Sequence, residues 1–206
     1  MTIIDIILEK LNEHYPEARC ELDYKTPFQL LIATILSAQA TDKSVNKLTE
    51  TLFRDYPDLN AFLSLTELEI SDKIKEIGLY RSKSRNIYRL CHILKNEFNG
   101  IVPKTFESLM ILPGVGKKTA SVVLSVAFGI PALAVDTHVF RVTRRIGLTQ
   151  EDTPDKVADD LMKLIDKDKW IVAHHLFIFH GRRTCKARKP NCTICVINKE
   201  CKKIGI

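Results

Sequence analysis

Apolar residues recur at helical spacing along nearly the whole chain. Ile4, Ile7, Leu8 and Leu11 stand at i, i+3, i+4 and i+7, and Ile87, Leu90, Cys91, Leu94 and Phe98 repeat the stripe. Each set therefore falls on one face of an amphipathic helix. Residues that satisfy the free amides of a helix start stand where helices should begin: Thr26 before Pro27, Thr41 or Asp42 before KSVNKLTETLF, Thr66 with Glu69 three residues on, and Thr153 before Pro154. No alternating run is long enough for a strand, and no internal repeat or low-complexity linker interrupts the pattern. The chain is predicted to be all-α. Its short loops mark no clean boundary, but two helical lobes are expected, with residues 112–136 at their junction, a common place for a ligand cleft.

That junction segment is LPGVGKKTASVVLSVAFGIPALAVD, Leu112 to Asp136. A glycine-flanked turn opens a helix there, and the free N–H groups of a helix N-terminus bind phosphate. Gly114 and Gly116 let another backbone approach, and Lys118 sits just inside the turn, next to Lys117 and expected to be partly buried. The helix should run to Phe128, roughly 15 Å at 1.5 Å per residue, and turn at Gly129. The eight steps from Phe128 to Asp136 reach up to about 26 Å if extended, enough to return the carboxylate to the lysine. An amine and a carboxylate beside a bound phosphodiester form a reactive site. The plain alternative is an ordinary helix start with a solvated lysine and aspartate.

Composition and charge narrow the choice. The chain has 206 residues, 45% of them hydrophobic, which suits one domain or two small ones with a proper core. Its longest weakly polar run, Ala120 to Val135, falls short of the roughly 18 apolar residues that a membrane span requires. The start MTIIDIILEKLNEHYP carries Asp5 and Glu9 where a secretory leader would be basic and then purely apolar. A cytoplasmic protein without membrane contact is expected. Of the net +6, the segment Gly181 to Ile206 alone carries +7, eight Lys/Arg against Glu200, leaving −1 for the rest. A basic surface confined to one segment is the footprint of a nucleic-acid binder; a solubilising tail is the plain alternative.

Four cysteines lie in that same segment, Cys185, Cys192, Cys195 and Cys201, spaced C-x6-C-x2-C-x5-C. Cys20 stands alone, and Cys91 falls on an apolar stripe, where it reads as a small buried hydrophobe. Disulfides do not suit a cytosolic chain. Structural zinc usually brings two close pairs a dozen or more residues apart, whereas these thiols crowd together with a single close pair. By spacing an iron–sulfur cube ranks ahead of zinc.

Taken together, LSAQATD (36–42), GLYRSK (78–83), LPGVGKKTA (112–120), AVDTH (134–138), HGRRTC (180–185) and the four-cysteine loop make the chain resemble the endonuclease III family of helix-hairpin-helix DNA glycosylases over nearly its whole length. The resemblance implies a bifunctional glycosylase and AP lyase acting on oxidised pyrimidines in damaged double-stranded DNA, as a nucleoid-associated monomer. It implies Lys118 as nucleophile, Asp136 as its paired carboxylate, and a [4Fe-4S] cluster on Cys185, Cys192, Cys195 and Cys201. Gly114, Val115, Gly116 and Lys117 would hold the DNA backbone, while Gln39 and Leu79 would fill the gap left by an extruded nucleotide. From residues alone, Gln39 reads as a helix cap and Leu79 as core. The implied architecture is a six-helix lobe at 22–131, with the hairpin at about 107–128, and a cluster lobe of 1–21 plus 132–206 with its cluster loop at 185–201. One departure is visible: Met110 stands where the family often has glutamate. An adenine-mismatch glycosylase would lack Lys118 and carry a further domain for which 206 residues leave no room; a non-catalytic DNA-binding or iron–sulfur redox protein would give Asp136 no role.

Overall fold

The computed structural model describes residues 2–206. Among them it contains eleven α-helices and no strand: α1 Ile3–His14, α2 Pro27–Leu36, α3 Asp42–Asp55, α4 Leu59–Leu63, α5 Glu67–Lys73, α6 Tyr80–Glu97, α7 Phe106–Ile111, α8 Lys117–Phe128, α9 Thr137–Ile146, α10 Pro154–Leu164 and α11 Trp170–Arg183. Among the described residues no helix is long and apolar enough to cross a membrane. The chain divides into two compact units, one of Met1–Cys20 with Pro131–Ile206, the other of Glu21–Ile130.

The Glu21–Ile130 unit holds α2 to α8. Its centre is α2, PFQLLIATIL, apolar all round and buried from Phe28 to Leu36, as a helix without a polar face must be. Against it pack α8, α3 and α6. The expected starts are observed. Thr26 Oγ1 accepts from Gln29 N, with Pro27 in the first turn; Thr66 and Glu69 close a reciprocal capping box; Thr41, rather than Asp42, caps α3. Each such cap is worth about 1 kcal/mol. Two helices of this unit begin without a capping side chain, α6 at Leu79 and α8 at Gly116, and both starts carry residues singled out above. On α6, Ile87, Leu90, Cys91 and Leu94 are buried as the stripe predicts. Burial pushes the Cys91 thiol up to about 12, which fits an inert core residue. At the far end of α8, Gly129 takes a left-handed φ of 64° and stops the helix where expected.

In the other unit α11 packs on α9 and α1. Ile7, Leu11, Val139, Val142, Leu161, Leu176 and Phe177 form its core. Thr153 caps α10 ahead of Pro154. Gly181 on α11 is required by the crossing with α9, since a Cβ there would come within 2.9 Å of the His138 Cβ.

Candidate active site

The turn between α7 and α8 is built for an incoming anion. After Leu112 the chain turns through Pro113 and Gly114, whose φ of +81° and 3.1 Å approach to the Asn86 Cβ leave no place for a side chain. Val115 backs the turn from inside, 7% exposed, its N–H donating to Leu112 O at 3.1 Å. Gly116 is different: its backbone is extended and nothing lies within 4 Å of an added Cβ, so the fold does not demand glycine there. The N–H groups of Gly114, Gly116, Lys118 and Thr119 donate to no acceptor among the described residues. Unpaired amides at the positive end of a helix attract a phosphate. Lys117 and Lys118 are exposed in the first turn of α8; the partial burial expected of Lys118 is not found.

Two further turns of the same unit share an unusual backbone. Gln39, between α2 and α3, and Leu79, before α6, both have left-handed φ, 56° and 63°, without being glycine. Such strain survives only where the surroundings enforce it, and it clusters at functional sites. Neither plain reading of these positions holds. Leu79 is 53% exposed rather than core, and the cap of the helix after Gln39 is Thr41. The two turns abut: a Cβ on Gly78 would lie 3.9 Å from Gln39 O.

Asp136 belongs to the other unit, as the N-cap of α9. Its Oδ1 accepts from His138 N and Val139 N, each at 2.8 Å, while Oδ2 has no partner among the described residues. The carboxylate is half-buried and fixed by one oxygen. The extended segment leading to it is pinned by His174, whose Nδ1 lies 2.8 Å from Ala134 O. One and a half turns on, Arg141 reaches Gly181 O at 2.9 Å, Cys185 O at 3.1 Å and His138 Nδ1 at 3.2 Å. Sequence reasoning passed over His174 and Arg141, although His138 was inside a quoted motif.

The C-terminal end of α9 holds the cysteine loop. Arg145 donates to Lys186 O and Ala187 O and points at Cys185 Sγ, 3.7 Å away. Lys203 N donates to Cys201 Sγ at 3.4 Å. Cys185, Cys192, Cys195 and Cys201 line one cavity together with His180, Thr184 and Asn198. Among the described residues no three Cys, His, Asp or Glu side chains converge tightly enough to grip a single ion; the thiols stand around a space. Burial pushes the thiols of Cys195 and Cys201 up and His180 down to about 4, so at neutral pH the imidazole beside Cys195 Sγ, 3.6 Å away, is uncharged. The Asn198 Oδ1 is buried there without a partner.

Comparison with known proteins places these features in a family. Residues 32–167 match the profile of the HhH-GPD superfamily base excision DNA repair protein. Over 200 residues the chain is 50% identical to endonuclease III of Rickettsia conorii, covering 97% of this chain and 95% of that protein, and it is 44% identical to endonuclease III of Bacillus subtilis over 201 residues, 97% and 92% of the two. Among solved structures it is similar to a trapped covalent intermediate of an endonuclease III with DNA, at 46% identity and a TM-score of 0.93 over 98% of this chain and 97% of that one. The chain belongs to the endonuclease III family of the HhH-GPD superfamily of base excision DNA repair proteins.

Proposed function

We propose that the protein is a bifunctional DNA glycosylase and AP lyase of base excision repair that removes oxidised pyrimidines from duplex DNA. The observation that carries this reading is the open N-terminus of α8, with unpaired amides and the exposed Lys118 beside them, in a chain similar over nearly its whole length to an enzyme trapped covalently on DNA. A damaged base must leave the stack before its sugar bond can be reached. The Gly114 and Gly116 amides and Lys117 hold the backbone, while Gln39 and Leu79 fill the vacated gap. The Lys118 nitrogen attacks C1′, and the N-glycosidic electron pair leaves with the base, which takes up a proton. Ring opening gives an iminium linking Lys118 to the sugar. Loss of a C2′ proton then expels the 3′ phosphate and breaks the strand. Asp136 stabilises the positive charge that develops at C1′ and assists proton movement. The protein works as a monomer, in the cytoplasm and on the nucleoid.

The direct test is incubation with a duplex bearing one oxidised pyrimidine. Free base and a strand break 3′ to the site are expected; binding without base release would leave a DNA-binding module instead. Gly116 offers a separate check of the turn. Since the fold leaves space for a methyl there, Gly116→Ala is expected to cost at most about 1 kcal/mol of stability, yet to weaken DNA binding about tenfold by blocking approach of a phosphate, as read in a titration against melting temperature. Binding at the parental level would remove this turn from the interface.

Cys185, Cys192, Cys195 and Cys201 fit a [4Fe-4S] cluster. They are soft donors spread round a common cavity, N–H groups of Arg145 and Lys203 face two of the sulfurs as they would face thiolates, and the orphan Asn198 amide adds a further polar group in the lining. When bound, the cluster supplies cross-links that order a basic loop with little core of its own. Purified protein is expected to carry about four irons per chain and to absorb broadly at about 400 nm; colourless protein with one zinc would overturn this.

A further inference from the structure

Lys83 is 4% exposed, in the first turn of α6, and no carboxylate meets it. Its amino group instead donates to Leu36 O at 2.8 Å and to Ala38 O at 2.7 Å. One side chain thus ties the last carbonyl of α2 to the turn that precedes Gln39. Its own main chain starts from the other strained residue, since Lys83 N donates to Leu79 O at 3.0 Å. Gln39 is exposed, so its left-handed backbone draws no support from packing of its own side chain. A conformation of that kind needs enforcement by neighbours, and the two bonds from Lys83 supply it on the N-terminal side. Burial of an amino group without a counter-ion is unfavourable and pushes the Lys83 pKa down. A plain helix C-cap could be made from a solvated lysine at no such cost.

We propose that Lys83 is a positioning residue: it locks the turn carrying Gln39 to the helix that begins at Leu79, so that the two side chains enter the gap in a DNA duplex as one preset wedge. This rests on the gap-filling reading of Gln39 and Leu79. A wedge matters only where a partner strand leaves a gap to fill, which separates positioning from folding.

The test uses the full-length chain and borohydride trapping at an abasic site, presented once in duplex and once in the same strand unpaired. The readout is the ratio of the two trapping rates. Lys83→Met, Gln39→Ala and Leu79→Ala are each expected to lower that ratio about tenfold, and Lys83→Met combined with Gln39→Ala to lower it no further than the worse single change, the signature of one coupled unit. Equal losses on both substrates, with the ratio of the parent, would make Lys83 a structural cap and overturn the inference, as would full additivity in the double variant. A ratio lowered by Gln39→Ala and Leu79→Ala but not by Lys83→Met overturns the positioning role alone. A ratio that ignores Gln39→Ala and Leu79→Ala overturns the gap-filling reading, and the inference with it. Should Lys83→Met fail to fold, Lys83→Ala, which likewise removes both N–H donors, goes through the same cycle and is judged by the same outcomes.

Discussion

Borohydride should trap no protein on a damaged duplex once Lys118 is replaced by glutamine. The glutamine side chain keeps a polar end of similar reach, but its amide nitrogen has no free electron pair to give and cannot form an iminium. Nothing else need change. Lys118 is exposed in the first turn of α8 and its side chain is bonded to no other residue among those described, so the substitution should move stability by no more than about 0.5 kcal/mol. Loss of one cation near phosphate weakens binding modestly and in a salt-dependent way. The chemical step should fall by at least about a thousandfold, roughly 4 kcal/mol of barrier. The measurement is denaturing electrophoresis of the trapped adduct beside a binding titration on the same preparation. An undiminished adduct would move the nucleophile elsewhere, first to Lys117, which stands exposed on the same turn, and peptide mapping of the adduct would show which amine holds the sugar.

Most of the helical framework can be read from the sequence because it obeys local rules. Thr26, Thr66 and Thr153 cap where a side-chain oxygen meets a free amide three residues on, and Gly129 ends α8 because a residue without a Cβ accepts positive φ. The stripes of α1 and α6 are buried for the reason that they are stripes. Residues that act across the sequence are another matter. Arg141 reaches Cys185 O, 44 positions away, and no periodicity announces that. Lys83 left a trace that could have been used. It stands four residues before Ile87, so it extends the apolar stripe of α6 by one turn, and a cation on a buried face must find acceptors there.

The candidate site divides the same way. Pro-Gly-x-Gly with a following helix announces unpaired amides, and the structure has them at Gly114 and Gly116. What sequence cannot separate is the two glycines. Gly114 is required by its own φ of +81° and by Asn86, whereas Gly116 is free of both constraints, and only coordinates distinguish a glycine needed by the fold from one left open to a ligand. The left-handed backbone of Gln39 and Leu79 is equally silent in sequence, because it is imposed by neighbours against local preference.

Asp136 is the residue at which structure and chemistry compete, and Asp136→Asn separates them. As N-cap of α9 it accepts from His138 N and Val139 N, a role legible from the sequence, since an aspartate precedes the run Val139, Val142, Thr143, Ile146 that is buried on one face. Asparagine caps as well as aspartate, so the variant should keep both bonds and lose only charge at the helix N-terminus, about 0.3–1 kcal/mol. If capping were the whole role, base release would survive. If the Oδ2 left unpaired stabilises charge at C1′, the neutral amide cannot replace it, and single-turnover base release should fall about 10²–10⁴-fold at nearly parental melting temperature. Asp136→Ala should lose the same activity and, in addition, about 1 kcal/mol of stability through the missing cap. An asparagine variant within threefold of the parent would reduce Asp136 to a helix cap. Trapping on a preformed abasic site should suffer less than base release in the asparagine variant, because Lys118 there meets an aldehyde with no base to expel, and the gap between the two assays measures how much of the carboxylate's work is spent on breaking the glycosidic bond.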